Sequence, residues 1–413
     1  MSHKKTVAVI GGGAAGFFGA ISCAEKLADV QIIILEKTRQ LLTKVKISGG
    51  GRCNVTHACF DPAILVQNYP RGGKELRGPF SRFQPRDTIQ WFESKGVELK
   101  VENDGRMFPT SDNSETIISC LMQQASAHGI KIWTEKGVVE CEKIKNQFLL
   151  TLSDGEQLLC DSLLISTGSA HKVHELIQKL GHTIIPLVPS LFTFNIPNSP
   201  LNELAGISVP KTKLSIVDSD LEQIGPLLIT HWGFSGPAVL KLSAWGARFL
   251  HDKKYKASLK INWLPDFSVD ELKNHLLKYR QEFASRQVGS ESPCPLPKNL
   301  WKALLEIAEI PKELRWAVLS KQHLQTLMAT LQASIFQIDG KSTYKDEFVT
   351  CGGVKLSEIN FKTMESTICP GVYFAGEVLD IDGVTGGFNF QNAWTTSWLA
   401  GQAISERLKP TFE

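Results

Sequence analysis

The stretch Lys4–Lys37, KKTVAVIGGGAAGFFGAISCAEKLADVQIIILEK, holds a short apolar run, a turn of three glycines, a helix-forming segment and a second apolar run ending on an acid. Strand-length apolar runs on either side of a helical segment make this a βαβ unit. Gly11, Gly13 and Gly16 fill the spacing GxGxxG. The first permits a tight turn, the second lets a pyrophosphate reach the backbone, and the third lets helix and strand pack closely. Ala14 and Ala15 open the helix, whose positive N-terminal end faces the phosphates. Glu36, with Lys37 beside it, closes the second run, where a carboxylate accepts hydrogen bonds from a ribose 2'-hydroxyl. The pattern marks a dinucleotide site and leaves NAD and FAD undistinguished.

The chain has 413 residues, 42% of them hydrophobic and 21% charged, which suits two or three globular domains. Its 45 basic and 42 acidic residues leave a net charge of +3 spread along the sequence. Such a balance shows no electrostatic footprint for nucleic acid or anionic lipid, so neither a nucleic-acid partner nor a membrane is expected. No apolar run reaches about 18 residues, and Val7–Ile10 leads into glycines rather than a signal-peptide core, so a cytoplasmic protein is expected. Nine scattered cysteines without a CxxC pair read as reduced thiols, and no metal site is expected.

The far end supplies the missing discrimination. GVYFAGEVLDIDGVTGGFNFQNAWTTSWLAGQAI, residues 371–404, reads as a strand over Val372–Ala375, the pair Gly376-Glu377, a glycine turn, and a helix from about Asn389. These elements could simply finish a sheet. The sharper reading starts from flavin chemistry: reduction gathers negative charge near N1 and O2, and a helix N-terminus offers both donors and positive potential there. Gly386, Gly387 and Phe388 would bring those amides to the ring, and Glu377 would accept a ribityl hydroxyl. These are requirements of FAD.

Between the two ends lies KVKISGGGRCNVTH, Lys44–His57. It follows Glu36 by a short connection, so it is expected to run from the ribose toward the isoalloxazine. Ser48, Gly49, Gly50 and Gly51 would let backbone amides approach the flavin without side-chain collision. Arg52, Cys53 and Asn54 then fall at the edge where substrate enters. Arg52 suits a substrate carboxylate or flavin-linked charge through its planar fork, or else a loop-stabilising ion pair. Cys53 reads as a redox thiol or a packing residue, and the lack of a paired cysteine favours packing.

Seven ordered motifs, VIGGGAAG, KISGGGRCNVTH, GRMFPTSD, LGHTIIPLVPSLFTF, THWGFSGPAVLKLSAW, TCGGVKLSEI and GVYFAGEVLDIDGVTGGFNFQNAW, resemble the YhiN/BaiN-like flavoproteins. That family is also labelled NAD(P)/FAD-dependent oxidoreductases or the aminoacetone oxidase family. The resemblance implies an α/β fold: a discontinuous, Rossmann-like FAD domain of the glutathione-reductase type, interrupted by an inserted substrate-side domain. It places Val139 by the adenine and Thr167-Gly168 at a sheet end facing the dinucleotide. The chain departs from the family at His57, where asparagine is usual, and after Gly168, where a second glycine is common.

Composition shifts at the prolines from Pro186 onward, and helical periodicity returns at Ser268 with a capping-box pattern to Glu271. The expected layout is residues 1–189 as the first part of the FAD domain, 190–344 as an insertion with a β portion then a helical portion, and 345–413 as the return. SVDELKNHLLKYRQEFA, KNLWKALLEIAEI and KELRWAVLSKQHLQTLMATLQA read as helices. His231, within THWGFSGPA, is the leading proton-donor candidate, set against a satisfied structural histidine.

Together these residues predict an FAD-dependent oxidoreductase moving a hydride between flavin N5 and a small organic substrate, with NAD(P)H as a transient donor. An amine oxidase using O2 is an alternative, and a flavin-binding regulatory or RNA-associated protein another. The sequence leaves oligomeric state open.

Overall fold

A computed structural model describes residues 4–27, 29–341 and 349–409. The chain divides into two compact units, residues 1–187 with 350–413 and residues 188–349.

In the first unit, β1 (Lys5–Ile10) enters α1 (Ala14–Ala24), which returns through β2 (Val30–Leu35). β1 pairs in parallel with β2 on one side and with Ser162–Ile165 on the other. Lys131–Trp133 adds outside β2, and Val372–Phe374 adds outside Ser162–Ile165. Five parallel strands therefore stand in the order third, second, first, fourth, fifth, with a short antiparallel extension, Ile359–Asn360 and Glu365–Ser366, at the far edge. Val7, Ala8 and Val9 are fully buried, as the uninterrupted apolar run requires of a strand covered on both faces.

The terminal helix Phe388–Leu408 lies alongside α1. A Cβ on Gly19 would come within 3.3 Å of Ser397, and one on Gly401 within 2.7 Å of the Gly19 carbonyl oxygen. Near the helix starts, a Cβ on Gly376 would sit 3.0 Å from Ala15 and 3.7 Å from Ala393. Small residues at each level let the two helices run side by side in the same direction, so their N-termini share one end of the sheet.

Two apolar runs of the first unit are each divided between two strands. The run from Lys131 to Val139 is two strands, Lys131–Trp133 in the parallel sheet and Val138–Ile144 in a three-stranded meander with Gln147–Leu152 and Gln157–Cys160. The run from Leu159 to Ser166 is also divided, at Asp161. There the carboxylate accepts from the Thr6 N–H at 2.8 Å, and the Asp161 N–H donates to the Thr6 carbonyl at 2.8 Å.

The second unit is a six-stranded antiparallel sheet in the order Phe194–Asn195, Gly233–Ser235, Glu222–Thr230, Ser208–Ile216, Lys256–Asn262 and Ser334–Asp339. Its helices include Val269–Glu282, Lys298–Ile307 and Lys321–Ala333. The capping box forms: Glu271 accepts from the Ser268 N–H at 2.8 Å, and the Ser268 hydroxyl accepts from the Glu271 N–H at 3.2 Å. The run from Lys312 is not one helix, because Ser320 caps a fresh start by accepting from the His323 N–H at 3.0 Å. After that helix the chain adds a last strand to the sheet, so the β portion closes only after the helical portion. Trp263, Trp301 and Trp316 are buried in this unit's core.

Candidate functional site

The glycine turn after β1 has two contrasting environments. A Cβ on Gly16 would lie 1.9 Å from the Gly11 carbonyl oxygen, so helix and turn touch there, whereas a Cβ on Gly13 would meet nothing within 4 Å. Gly13 is the N-cap of α1, contributes no side-chain hydrogen bond, and the first turn carries no acid. The helix therefore presents its first amides and positive end, over Ala14 and Ala15, to open space. Open space beside uncapped amides is what a pyrophosphate would require.

Glu36 stands at the end of β2 with Oε2 accepting from the Gly12 N–H at 2.9 Å and Oε1 from the Thr38 N–H at 3.0 Å. Those bonds fix the carboxylate at the rim of the same turn. Lys37 is exposed, and a Cβ on Gly137 would lie 3.1 Å from its side chain, so the meander begins beside Lys37. Val139 follows, an apolar side chain 54% exposed.

The segment Thr43–Gly51 starts as a helix and breaks at Ser48, whose ψ is 150°. Gly49, Gly50 and Gly51 then take positive φ, and Cβ atoms on the last two would meet nothing within 4 Å. Bare backbone is thus presented along this loop. Gly168, with φ +59°, lies across from Glu377: a Cβ there would be 3.5 Å from Glu377 Oε2. The Thr167 hydroxyl beside it is buried without a partner, a polar atom that a bound group would satisfy. Glu377 also pairs with Lys44, a contact that sequence spacing does not announce.

Arg52 has committed its charge to carboxylates far along the chain. Its Nη1 bonds Glu102 Oε1 at 2.6 Å and lies 3.5 Å from Asp112 Oδ1, while the guanidinium carbon sits 4.0 Å from the Phe108 ring centroid. Glu102, first among these groups, raises the Arg52 pKa further. Of the two readings of Arg52, this geometry is that of the loop-stabilising pair. Cys53 is fully buried with φ +63°, and burial pushes its thiol up to about 12 despite a hydrogen bond with Ser48. A thiol held protonated by burial packs; it does not attack.

Asn54 reaches the other end of the chain. With its amide oriented to satisfy its neighbours, it accepts from the Gly387 N–H at 2.9 Å and donates to the carbonyls of Thr56 at 3.0 Å and Met107 at 3.2 Å. Gly387, at φ +91°, is the N-cap of the terminal helix and has no side chain to occupy its first amides. Phe388 is buried, stacks on His57 at 4.7 Å, and its carbonyl accepts from the Tyr69 hydroxyl at 2.6 Å. Asn389 braces the loop by donating to and accepting from the Gly383 backbone, both at 2.8 Å. Phe388 and Asn389 thus shape the glycine turn, and the backbone after Gly387 is what the turn presents.

Supports that the sequence did not flag stand behind this turn. Gln391, fully buried, accepts from Thr56 at 2.6 Å and Thr88 at 3.0 Å and donates to Thr395 at 3.0 Å. Asp382, also fully buried, pairs with Arg71. Their signal was present in DIDGVTGGFNFQNAW as polar residues inside a stretch destined for the core, but their partners lie hundreds of residues away.

A Ser366–His182–Glu358 row forms elsewhere in the unit, with Ser366 Oγ 2.9 Å from His182 Nε2 and His182 Nδ1 3.1 Å from Glu358. Ser366 Oγ already accepts from the Ile368 and Cys369 amides at 3.0 and 2.7 Å and is buried, so the row ties strands together and offers no nucleophile. His231 sits in the second unit, exposed in the turn joining Glu222–Thr230 to Gly233–Ser235. Among the described residues, no group of His, Cys, Asp and Glu could hold a metal, and no helix is long and apolar enough to cross a membrane.

The family model for the HI0933-like protein Rossmann domain matches residues 5–403. A 3-dehydro-bile acid delta(4,6)-reductase of Clostridium scindens is 27% identical over 412 residues, covering 97% of this chain and 99% of that one. A ribosomal RNA dihydrouridine synthase of Escherichia coli is 28% identical over 409 residues, covering 96% of this chain and 97% of its own. In fold, the chain is similar to a 3-ketosteroid-delta4-(5alpha)-dehydrogenase from Rhodococcus jostii RHA1, at 12% identity, 98% coverage of each chain and a TM-score of 0.50. With its glycine turn, parallel sheet and full-length match, the chain belongs to the HI0933-like Rossmann-domain family, the YhiN/BaiN-type FAD-dependent oxidoreductases.

Proposed function

We propose that the protein reduces a carbon–carbon double bond conjugated to a carbonyl, using FAD and drawing its electrons from NAD(P)H. The observation that carries the cofactor assignment is the pairing of α1 with the terminal helix: both start at glycines that leave their first amides uncapped, and both starts lie at one end of the sheet. FAD in that position supplies a hydride. The chain's own residues do the rest. The amides of Ala14 and Ala15 would receive the pyrophosphate, and Glu36 would hold the ribose. Glu377 would accept a ribityl hydroxyl, the backbone of Gly49–Gly51 would flank the ring, and the amides after Gly387 would serve its pyrimidine edge. Positive potential there favours the reduced, negatively charged flavin.

The reaction class follows from what the relatives' names share. A delta(4,6)-reductase of a 3-keto bile acid and a synthase of dihydrouridine both saturate a ring double bond in conjugation with a carbonyl. Hydride adds to the carbon distal to the carbonyl and a proton to the adjacent carbon, so one NAD(P)H and one proton are consumed per bond reduced. His231 is the side chain we assign as proton donor.

Anaerobic mixing with NADH or NADPH tests this reading. Bleaching of the flavin, followed by its recolouring on addition of a cyclic enone or uridine with a product two mass units heavier, is the expected result. No bleaching with either donor, or bleaching only by an amine with peroxide formed in air, would replace it with the oxidase.

A further inference from the structure

His57 is held against the glycine turn of the terminal helix. On one side its ring stacks on Phe388, the first residue of that helix, with centroids 4.7 Å apart and planes at 21°, and a Cβ on Gly386 would lie 3.5 Å from its Cδ2. On the other side Nε2 lies 3.1 Å from the Asp104 carbonyl oxygen, and a Cβ on Gly105 would strike the ring, 2.8 Å from Nε2. Glycine at these two positions leaves the space the imidazole fills. All of these residues belong to the first unit.

A carbonyl can only accept, so Nε2 carries a proton and Nδ1 is the nitrogen that gains or loses the second one. The ring is half-buried, and the charges facing it are paired among themselves. Arg106 stands opposite His57 in register, and its guanidinium is taken by Asp104 at 2.7 Å and Glu102 at 3.0 Å. Glu102 also holds Arg52 at 2.6 Å. Cys59 follows on the same segment, its N–H donating to the His57 carbonyl at 2.8 Å, with a thiol that burial pushes up. Gly386, Gly387 and Phe388 carry no charge.

We propose that His57 tunes the flavin: an imidazolium behind this turn stabilises the negative charge that reduction brings to the pyrimidine edge, so the reduction potential gains an added rise as pH falls and the ring takes up its proton. The inference rests on the FAD assignment above. It adds a proton-linked control that the amides of the turn cannot supply, because their partial charge is the same at every pH. A hydride from NAD(P)H brings two electrons and one proton to the flavin and leaves one added negative charge, while solvent supplies the proton taken at Nδ1. The effect is reciprocal: by the factor that protonation of His57 favours reduction, reduction favours protonation of His57. Unit charges about 10 Å apart at an effective dielectric of about 20 couple by on the order of tenfold. For a two-electron couple that factor is about 30 mV.

The test measures the midpoint potential of the full-length FAD-loaded protein against pH, by dye-coupled reduction, for wild type and His57→Gln. Glutamine keeps an N–H within reach of the Asp104 carbonyl and carries no charge. Wild type should lie about 30 mV above the variant near pH 5.5 and meet it near pH 8.5, since histidine changes charge between about pH 5 and 8. A second reading needs no variant. With the ten histidines isotopically labelled, NMR titration of wild type should show one ring whose midpoint rises by about one pH unit on reduction. A gap between wild type and folded, FAD-loaded variant that does not change with pH, or no histidine that responds to reduction, would overturn the tuning role and leave the FAD assignment intact. Wild type that binds no FAD would overturn both. A pH-dependent gap in a protein that reduces no enone or uridine supports His57 in this role and counts against the reaction proposed above alone.

Discussion

Asn54 and Gly387 lie near opposite ends of the chain, and the Asn54 side chain accepts the Gly387 N–H at 2.9 Å. One bond thus fixes where the terminal helix begins relative to the glycine loop. Asn54 is 9% exposed and carries two further hydrogen bonds to carbonyls, so its amide is committed to the protein.

Asn54→Ala should leave the Gly387 N–H without its partner and take one donor each from the carbonyls of Thr56 and Met107, the latter still holding the Val55 N–H at 2.9 Å, at a cost of about 1–3 kcal/mol. Denaturant unfolding should show that loss together with weaker FAD retention. Unchanged stability would mean the bond does not hold the turn.

Asp382→Asn removes one charge of a buried pair and leaves Arg71 beside a neutral amide. Breaking such a pair costs about 3–5 kcal/mol. The melting temperature should fall and FAD should dissociate faster, because the loop from Ile381 to Phe388 is held from behind by Arg71 and Tyr69. A variant with wild-type melting and FAD release would remove the pair from the support of the turn.

Burial raises the Cys53 thiol from 9.0 to about 12. A group whose native pKa is raised stabilises the fold fully below its unfolded pKa and loses that contribution as pH climbs toward the native value. Stability should therefore decline between pH 9 and about pH 12. Cys53→Ser should make that decline shallower by up to about 1.4 kcal/mol per pH unit, the effect of one proton. The native protein should also resist iodoacetamide at this site, and flavin turnover should survive the substitution. Rapid labelling of native Cys53 would contradict the packing role.

His231→Ala should keep its flavin, since the residue lies exposed in a hairpin turn of the second unit, and should turn over more slowly. A wild-type rate across the pH range would remove His231 from the reaction.

The βαβ unit was legible because every determinant lies within one short stretch: apolar runs set the strands, and Gly16 must be glycine where a Cβ would strike the Gly11 carbonyl. Features fixed by distant partners were not. Nothing near Arg52 in sequence tells that Glu102 and Asp112 take its charge, and nothing near Asn54 names Gly387. Element boundaries failed for a related reason. Asp161 ends a strand by bonding Thr6 far upstream, and Ser320 restarts a helix that periodicity alone carries straight through. The role of GGGRCN is sharpened as well, with its glycines presenting bare backbone while Arg52, Cys53 and Asn54 hold the loop in place.

The most direct measurement is a spectroscopic titration of the apoprotein with FAD, comparing wild type with Gly13→Val. A Cβ at Gly13 meets nothing within 4 Å, so the variant should fold, as its circular dichroism would show. Wild type should bind FAD saturably at one per chain while the folded variant retains none, because the side chain occupies the space the pyrophosphate needs. Wild type that takes up no FAD, or a folded Gly13→Val protein that binds it equally well, would contradict the assignment of this turn as the cofactor site.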